Sequence, residues 1–348
     1  MTHVLFDLRV VGPRWHGISR HAAQLFAALQ RRSFNVRFTA IARPSCPRAL
    51  LPPGDYEVLP AEIRPYGLGE QTLLPAMLGR ANADLYYSPT YVVPFACPIP
   101  FVFTVHDLID VQAPNAKLKH RLYFRRILPS LVDRARAVVT VSEFSRRTLL
   151  DFGLPARKVV VVPNGHALNP FPNAVRLPRL LHMTNGRPHK NTSLVFRLAH
   201  RLLPRFPELR LLCVGLSALP PEGRGLGDRV DLRPVVDPGE LARVYSESVA
   251  TLVPSYAEGF GLPALESMAC GTPVVVSNRA SLPEVVGDAA PALDPDDLDA
   301  WERTVSRILT DNAFAADLAS RGLARAQTMT WDRSAAIWAD VVTRICGR

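Results

Sequence analysis

The chain is 348 residues long, 48% apolar and 21% charged, which suits two ordinary domains with cores of their own and excludes a disordered chain. No apolar run reaches the ~20 residues of a membrane-spanning helix, and Met1–Leu8 enters a strand-like run without a basic leader and cleavage site, so neither a span nor a secretory signal is expected. The formal charge of +10 rests almost wholly on arginine, the only lysines being Lys117, Lys119, Lys158 and Lys190; it fits compositional bias, or an anionic partner such as a phosphorylated ligand, a lipid surface or nucleic acid.

Short apolar runs alternate with helical stretches along the whole chain. Strands are expected at 3–8, 35–42, 83–87, 100–105, 137–141 and 158–162, with helices such as Gly17–Arg31 and Glu143–Phe152 between them. Pro163, Pro170, Pro172 and Pro178 punctuate a stretch of little periodicity, read as a linker over 166–178. Strands then follow at 179–184, 209–214, 249–253 and 273–277, with helices at Thr192–Leu203 and Pro238–Ser246. Repeated β-α units predict an α/β fold of two Rossmann-like doubly wound domains, 1–165 and 179–327, facing across a cleft. The amphipathic Trp331–Ile345, within 328–348, is expected to pack back on the first domain. Cys46, Cys97, Cys213, Cys270 and Cys346 are odd in number and lack metal-type spacing, which fits a reduced, cytoplasmic compartment.

The chemistry concentrates in Pro254–Pro273, which holds Glu258 and Glu266 around a Gly-Phe-Gly turn. The apolar run Ser248–Val253 before it reads as a buried strand, and Pro263 suits the first residue of a helix. A strand, a glycine loop and a helix N-terminus make an anion site. Two acids at such a site read as grips for a ligand's hydroxyl groups while its phosphates lie on loop amides. A second loop, Asn185-Gly186-Arg187-Pro188-His189-Lys190-Asn191, follows the strand at 179–184. Gly186 permits a tight turn, Arg187 can fork onto two phosphate oxygens, and Lys190, the sole lysine of the second domain, adds a point charge. Taken singly, Glu266 also fits first-turn helix electrostatics, Glu258 a loop acid, and the basic pair solvated surface charge.

Glu-Gly-Phe-Gly-Leu-Pro-x-Leu-Glu followed by Met-Ala-Cys-Gly-Thr-Pro-Val-Val resembles the signature of family 4 (group 1) retaining glycosyltransferases of the GT-B fold. The likeness extends to Gly186–Asn191, Ser281–Asp288, Val141–Ser145, Thr104–Leu108 and Pro163-Asn164-Gly165. It implies that Arg187 and Lys190 contact the donor diphosphate, Glu258 the transferred sugar and Glu266 the nucleotide ribose. It further implies that Phe260 and Gly261, with Gly259, Leu262 and Gly186 around them, approach the donor through backbone. His106 would lie near the reacting sugar and Gly17 would let backbone approach phosphates or acceptor. The first loop, Gly12–Arg20, has one glycine at the turn where many members have two. His106-Asp107 also reads as a catalytic dyad or as a local cap. The implied reaction moves a hexosyl group, mannosyl favoured, from a nucleotide-diphosphate sugar (GDP-mannose favoured) with retention and no cofactor. Fixed cations would replace a divalent metal, and no paired-Asp ligand motif is present.

The acceptor is expected to be a saccharide or lipid-linked saccharide of surface polysaccharide, lipopolysaccharide or glycolipid synthesis. Lys117–Leu128 is a basic amphipathic segment, with Lys117, Arg121 and Arg125 on one stripe and Leu118, Leu122, Phe124 and Leu128 supplying the apolar part. It fits peripheral contact with the inner face of an anionic membrane, or a plain surface helix with its apolar side in the core. Competing functions are a nucleotide-sugar epimerase of the same fold and a basic nucleic-acid-binding protein. No helix-turn-helix, zinc or RNA-binding signature supports the latter. Gly12 and Gly17 have P-loop separation, but Ile18-Ser19 replaces the required Lys-Ser/Thr.

Overall fold

A computed structural model describes residues 1–13, 16–32, 35–112 and 118–347. The chain divides into two compact units, Met1–Gly165 with Trp331–Arg348, and His166–Thr330. The first is built on a seven-stranded sheet of β1 (Thr2–Asp7), β2 (Val36–Ala42), β3 (Glu57–Pro60), β4 (Leu85–Ser88), β5 (Phe101–Thr104), β6 (Ala137–Thr140) and β7 (Val159–Val161), in the order β3-β2-β1-β4-β5-β6-β7. The second has six strands, β8 (Leu177–Met183), β9 (Arg210–Val214), β10 (Val230–Arg233), β11 (Ser248–Val253), β12 (Val274–Ser277) and β13 (Ala292–Leu293), ordered β10-β9-β8-β11-β12-β13. Every pairing is parallel. Both sheets follow the doubly wound pattern, in which the winding reverses between the first and fourth strand.

Burial explains which strands the apolar pattern exposed. β4, β5, β6 and β12 are buried at every residue, and such strands read as continuous apolar runs. β3, β10 and β13 were not expected. They sit at sheet edges, none of their residues is fully buried, and β13 has only two residues. The expected linker over 166–178 needs correction, because the segment belongs to the second unit. His166 forms a parallel bridge with Thr330, Phe171 N donates to Ser246 Oγ at 2.9 Å, and Leu177 already opens β8.

The helix Trp331–Cys346 packs on the helix Gly17–Gln30 within the first unit. Trp338 is wholly buried there, edge-on to Tyr87 at 5.3 Å, and Tyr87 in turn stands 4.7 Å from Phe6. Trp338→Ala is therefore expected to destabilise the first unit by ~3–5 kcal/mol, seen as an earlier first-unit transition in a urea titration. An unmoved transition would remove this helix from the first unit's core.

Candidate functional site

In an open α/β sheet the carboxyl ends of the strands on either side of the winding reversal leave a crevice between their loops. In the second unit those neighbours are β8 and β11. The segments leaving them, 184–191 and 254–261, are the two loops singled out by sequence. A hydrogen-bond relay pins the first of them. Gly186 N donates to Thr184 Oγ1 at 3.2 Å, Thr184 and Thr192 hydroxyls meet at 3.0 Å, and Thr192 Oγ1 lies 3.1 Å from His182 Nε2. His182 Nδ1 is 3.0 Å from the Leu252 carbonyl. A carbonyl only accepts, so Nδ1 carries the proton and Nε2 accepts from Thr192. The basic loop of β8 is thereby tied to β11.

Glycine is required at one point of the second loop. Gly261 has φ +103° and opens the helix Leu262–Ala269, and a Cβ there would lie 2.7 Å from Leu282 Cδ2. Ser281 Oγ donates to the carbonyls of Glu258 (2.9 Å) and Phe260 (2.8 Å), holding the turn from below. Gly259 and Phe260 are buried, Leu262 half-buried, and Gly186 is left-handed at φ +70°.

The two loops meet. Tyr256 N donates to the His189 carbonyl at 2.8 Å, and Lys190 Nζ donates to Glu258 Oε1 at 2.7 Å. The Lys190 and Glu258 side chains are only 13% and 10% exposed. Ser255 Oγ also donates to Glu258 Oε1 at 2.7 Å, so two donors fix that carboxylate. Arg187 is exposed, and its backbone N–H is held by Asn185 Oδ1 at 3.2 Å. Glu266 differs from expectation. The helix starts at Leu262, one residue before Pro263, so Glu266 is its fifth residue and no acid stands in its first turn. Helix-end electrostatics does not account for it. It is 2% exposed and accepts from the Tyr245 hydroxyl at 3.0 Å.

The first unit holds the other two candidates. His106 lies two residues beyond β5, half-buried, with Nε2 donating to the Pro89 carbonyl at 2.9 Å. That leaves Nδ1 as the lone-pair nitrogen, and burial pushes the imidazole down to about 4. Its ring stands edge-on to that of His21 at 4.8 Å. His21 is buried and lies 2.7 Å from Asn164 Oδ1 through Nδ1, so the Pro-Asn-Gly motif braces the histidine pair. Asp107 Oδ1 accepts from Ile109 N at 3.0 Å, which is the local cap. Gly17 opens its helix behind a His16–Ser19 capping box, and a Cβ there would meet nothing within 4 Å. Among the described residues no contact demands glycine at that position.

The basic segment 117–128 is not one helix. Lys117 lies outside the described residues. Leu118–Leu122 is α-helical, Tyr123–Ile127 is a π-helical turn, and a new α-helix runs Leu128–Arg134. The extra residue splits the apolar stripe: Phe124 and Leu128 are buried, while Leu118 and Leu122 are 71% and 52% exposed. Among the described residues no helix is long and apolar enough to cross a membrane, and no group of three or more His, Cys, Asp or Glu could hold a metal.

Sequence reasoning missed His182, Tyr245, Ser255, Ser281 and His21. Each acts through burial and directed hydrogen bonds, and the only signals were the position of His182 in the strand that feeds the basic loop and the places of Ser255 and Ser281 inside the motif segments.

Solved structures share this architecture. Sucrose-phosphate synthase from Thermosynechococcus elongatus superposes with a TM-score of 0.77 at 20% identity over 99% of both chains. Anabaena Alr3699/HepE in complex with UDP and glucose gives 0.76 at 18% identity, over 99% of this chain and all of that one. The fold is therefore GT-B. Residues 15–169 match the model of Glycosyltransferase Family 4, and 170–325 that of Glycosyl transferases group 1. O-antigen chain mannosyltransferase B of Escherichia coli is 32% identical over 278 residues, 71% of each chain. A D-inositol 3-phosphate glycosyltransferase of Streptosporangium roseum is 30% identical over 286 residues, 70% of this chain and 63% of the relative. The chain belongs to the family 4 (group 1) glycosyltransferases.

The relay predicts a pH dependence. His182 is 1% exposed, and burial above all pushes its imidazole down to about 4. It stays neutral when folded but takes a proton on unfolding below about 6.5. Its contribution is complete above pH 6.5 and is lost as pH falls toward 4, because there the unfolded chain binds more protons. The wild type's thermal midpoint is expected to fall more steeply over that window than that of His182→Gln. Parallel curves would show that His182 is not buried neutral.

Proposed function

We propose that this glycosyltransferase moves a hexosyl group, mannosyl first among the candidates, from a nucleotide-diphosphate sugar to a saccharide or lipid-linked saccharide acceptor. The observation that carries the reading is the convergence of Lys190 and Glu258 on loops leaving β8 and β11, with Glu266 buried in the adjoining helix. In this reading Arg187 and Lys190 face the donor diphosphate, Glu258 orients hydroxyls of the transferred sugar, and Glu266 takes the ribose diol. Gly186, Gly259, Phe260, Gly261 and Leu262 shape the backbone around the donor, and His106 and Gly17 serve from the first unit. The likeness to an O-antigen mannosyltransferase supports mannose, hence GDP-mannose, and a place in surface polysaccharide synthesis. The basic segment supports peripheral contact with an anionic membrane at its cytoplasmic face.

The chemistry follows from charge. As the bond from anomeric carbon to phosphate oxygen breaks, negative charge grows on the leaving diphosphate. Two fixed cations stabilise that charge more in the transition state than in the ground state, without a divalent metal. The acceptor oxygen bonds to the same face of the anomeric carbon, its proton passes to the leaving phosphate oxygen, and configuration is retained. Lys190 shares its charge with Glu258, so donor binding redistributes a hydrogen bond that already exists.

Lys190→Ala and Glu266→Ala are each expected to lower transfer from GDP-mannose by ~10²–10³-fold, measured on folded protein with UDP-glucose as comparator donor. Added chelator should leave the wild-type rate unchanged. Full activity in both variants would overturn the site. An epimerised sugar formed from donor alone, with no acceptor product, would replace the transfer reading by the epimerase. Wild-type protein is also expected to float with anionic but not neutral liposomes; equal recovery with both would remove the membrane contact.

A further inference from the structure

The first unit contains a cavity of about 550 Å³ unused by the reaction chemistry above. Its walls include Tyr66, Tyr91, Phe95, Tyr123, Phe124 and Ile127, all from segments that follow β3, β4 and β5. That volume falls in the range of small-molecule pockets. Ring centroids lie 5.9 Å apart for Tyr66–Tyr91, 5.5 Å for Tyr91–Tyr123 and 5.0 Å for Tyr91–Phe124, a continuous aromatic wall.

Tyr91 and His120 also line the cavity, but most polar atoms of the wall are engaged inside the protein. The Tyr123 hydroxyl donates to the Tyr91 carbonyl at 2.8 Å, and that of Tyr66 bonds the Thr90 side chain. Glu70 accepts from Arg9 Nη2 at 2.9 Å and from Tyr66 N. Gln71 donates to the Val93 carbonyl and accepts from Phe95 N at 2.7 Å. What these groups present to the cavity is carbon. A sugar ring placed here would lose hydration at its hydroxyls with few partners to replace it, whereas a hydrocarbon has no such requirement.

The π-helical turn sorts the neighbouring side chains. It turns Tyr123, Phe124 and Ile127 to the cavity and leaves Arg125 and Arg126 exposed beside them. π-Turns recur at functional sites. Leu68, Phe95, Leu118 and Leu122, on the same segments, are 87%, 49%, 71% and 52% exposed. Carbon walls beside two arginines complement an amphiphile with an anionic head.

We propose that this cavity receives the hydrocarbon chain of an anionic, lipid-linked acceptor, with Arg125 and Arg126 meeting its phosphate. The proposal rests on the lipid-linked reading of the acceptor and names the part of the lipid that the enzyme recognises.

The test uses full-length protein and a series of monoalkyl phosphates below their micelle concentrations, with binding measured by calorimetry. Affinity is expected to rise about fourfold per methylene until the cavity is full. Ile127→Trp, which narrows the cavity at its wall, should weaken long-chain binding at least tenfold. Arg125→Ala with Arg126→Ala should reduce the alkyl phosphate to the affinity of the matching alcohol. In the wild type, a diazirine at the chain terminus should label peptides 66–71, 91–95 or 120–127, a result independent of whether Ile127→Trp folds. Affinity independent of chain length, inorganic phosphate binding equally well, binding only above the micelle concentration, or labelling elsewhere would each overturn the proposal. Thermal stabilisation by donor, followed in Ile127→Trp, separates the two readings: donor binding without chain binding in the wild type sinks the cavity and leaves the transferase.

Discussion

A parallel sheet buried on both faces leaves only the ends of its strands for chemistry. In the second unit β8 feeds one helix toward β9 and β11 feeds another toward β12, so their carboxyl-terminal loops diverge around a single crevice. The rest of the site depends on that reversal. It brings a loop carrying two cations, Arg187 and Lys190, beside a loop carrying the carboxylate of Glu258 although 68 residues separate Lys190 from Glu258. The relay from Gly186 through Thr184, Thr192 and His182 to Leu252 then keeps the loops in register.

The ion pair at the meeting point is largely shielded from water, where a lysine and a glutamate both suffer desolvation. Its value lies less in stability than in arrangement. Ser255 and Lys190 grip the same carboxylate oxygen, so Glu258 cannot rotate away. Glu266 is held differently, buried in its helix and accepting from the Tyr245 hydroxyl in the core. The two acids that look equivalent in sequence therefore answer to different partners: Lys190 and Ser255 grip one, and Tyr245 meets the other. Preorganised groups of this kind need little reorganisation when charge develops beside them.

Much of this was legible in the sequence because parallel strands are continuous apolar runs and loop motifs keep their spacing. Phe101–Thr104 and Val274–Ser277 declare themselves by composition. Glu57–Pro60 and Val230–Arg233 do not, since an edge strand is polar on its open side and depends on a neighbour for its hydrogen bonds. The Gly-Phe-Gly turn was readable because Gly261 alone fits a left-handed position against Leu282. The helix start was misplaced by one residue because proline suits either of the first positions. The π-turn at Tyr123–Ile127 left no sequence signal, so Leu118, Leu122, Phe124 and Leu128 read together as the apolar part of one helix. The partners of His182 and His21 come from distant residues, Leu252 and Asn164, that no local pattern could name.

The helix Trp331–Cys346 follows the whole second unit in sequence, yet Trp338 fills the aromatic centre of the first. During synthesis every residue of His166–Thr330 is therefore made before the first unit can close its core. The second unit is free to reach its native state while the first still exposes Phe6, Phe26 and Tyr87 to solvent or to chaperones. The part of the chain translated first is the part finished last.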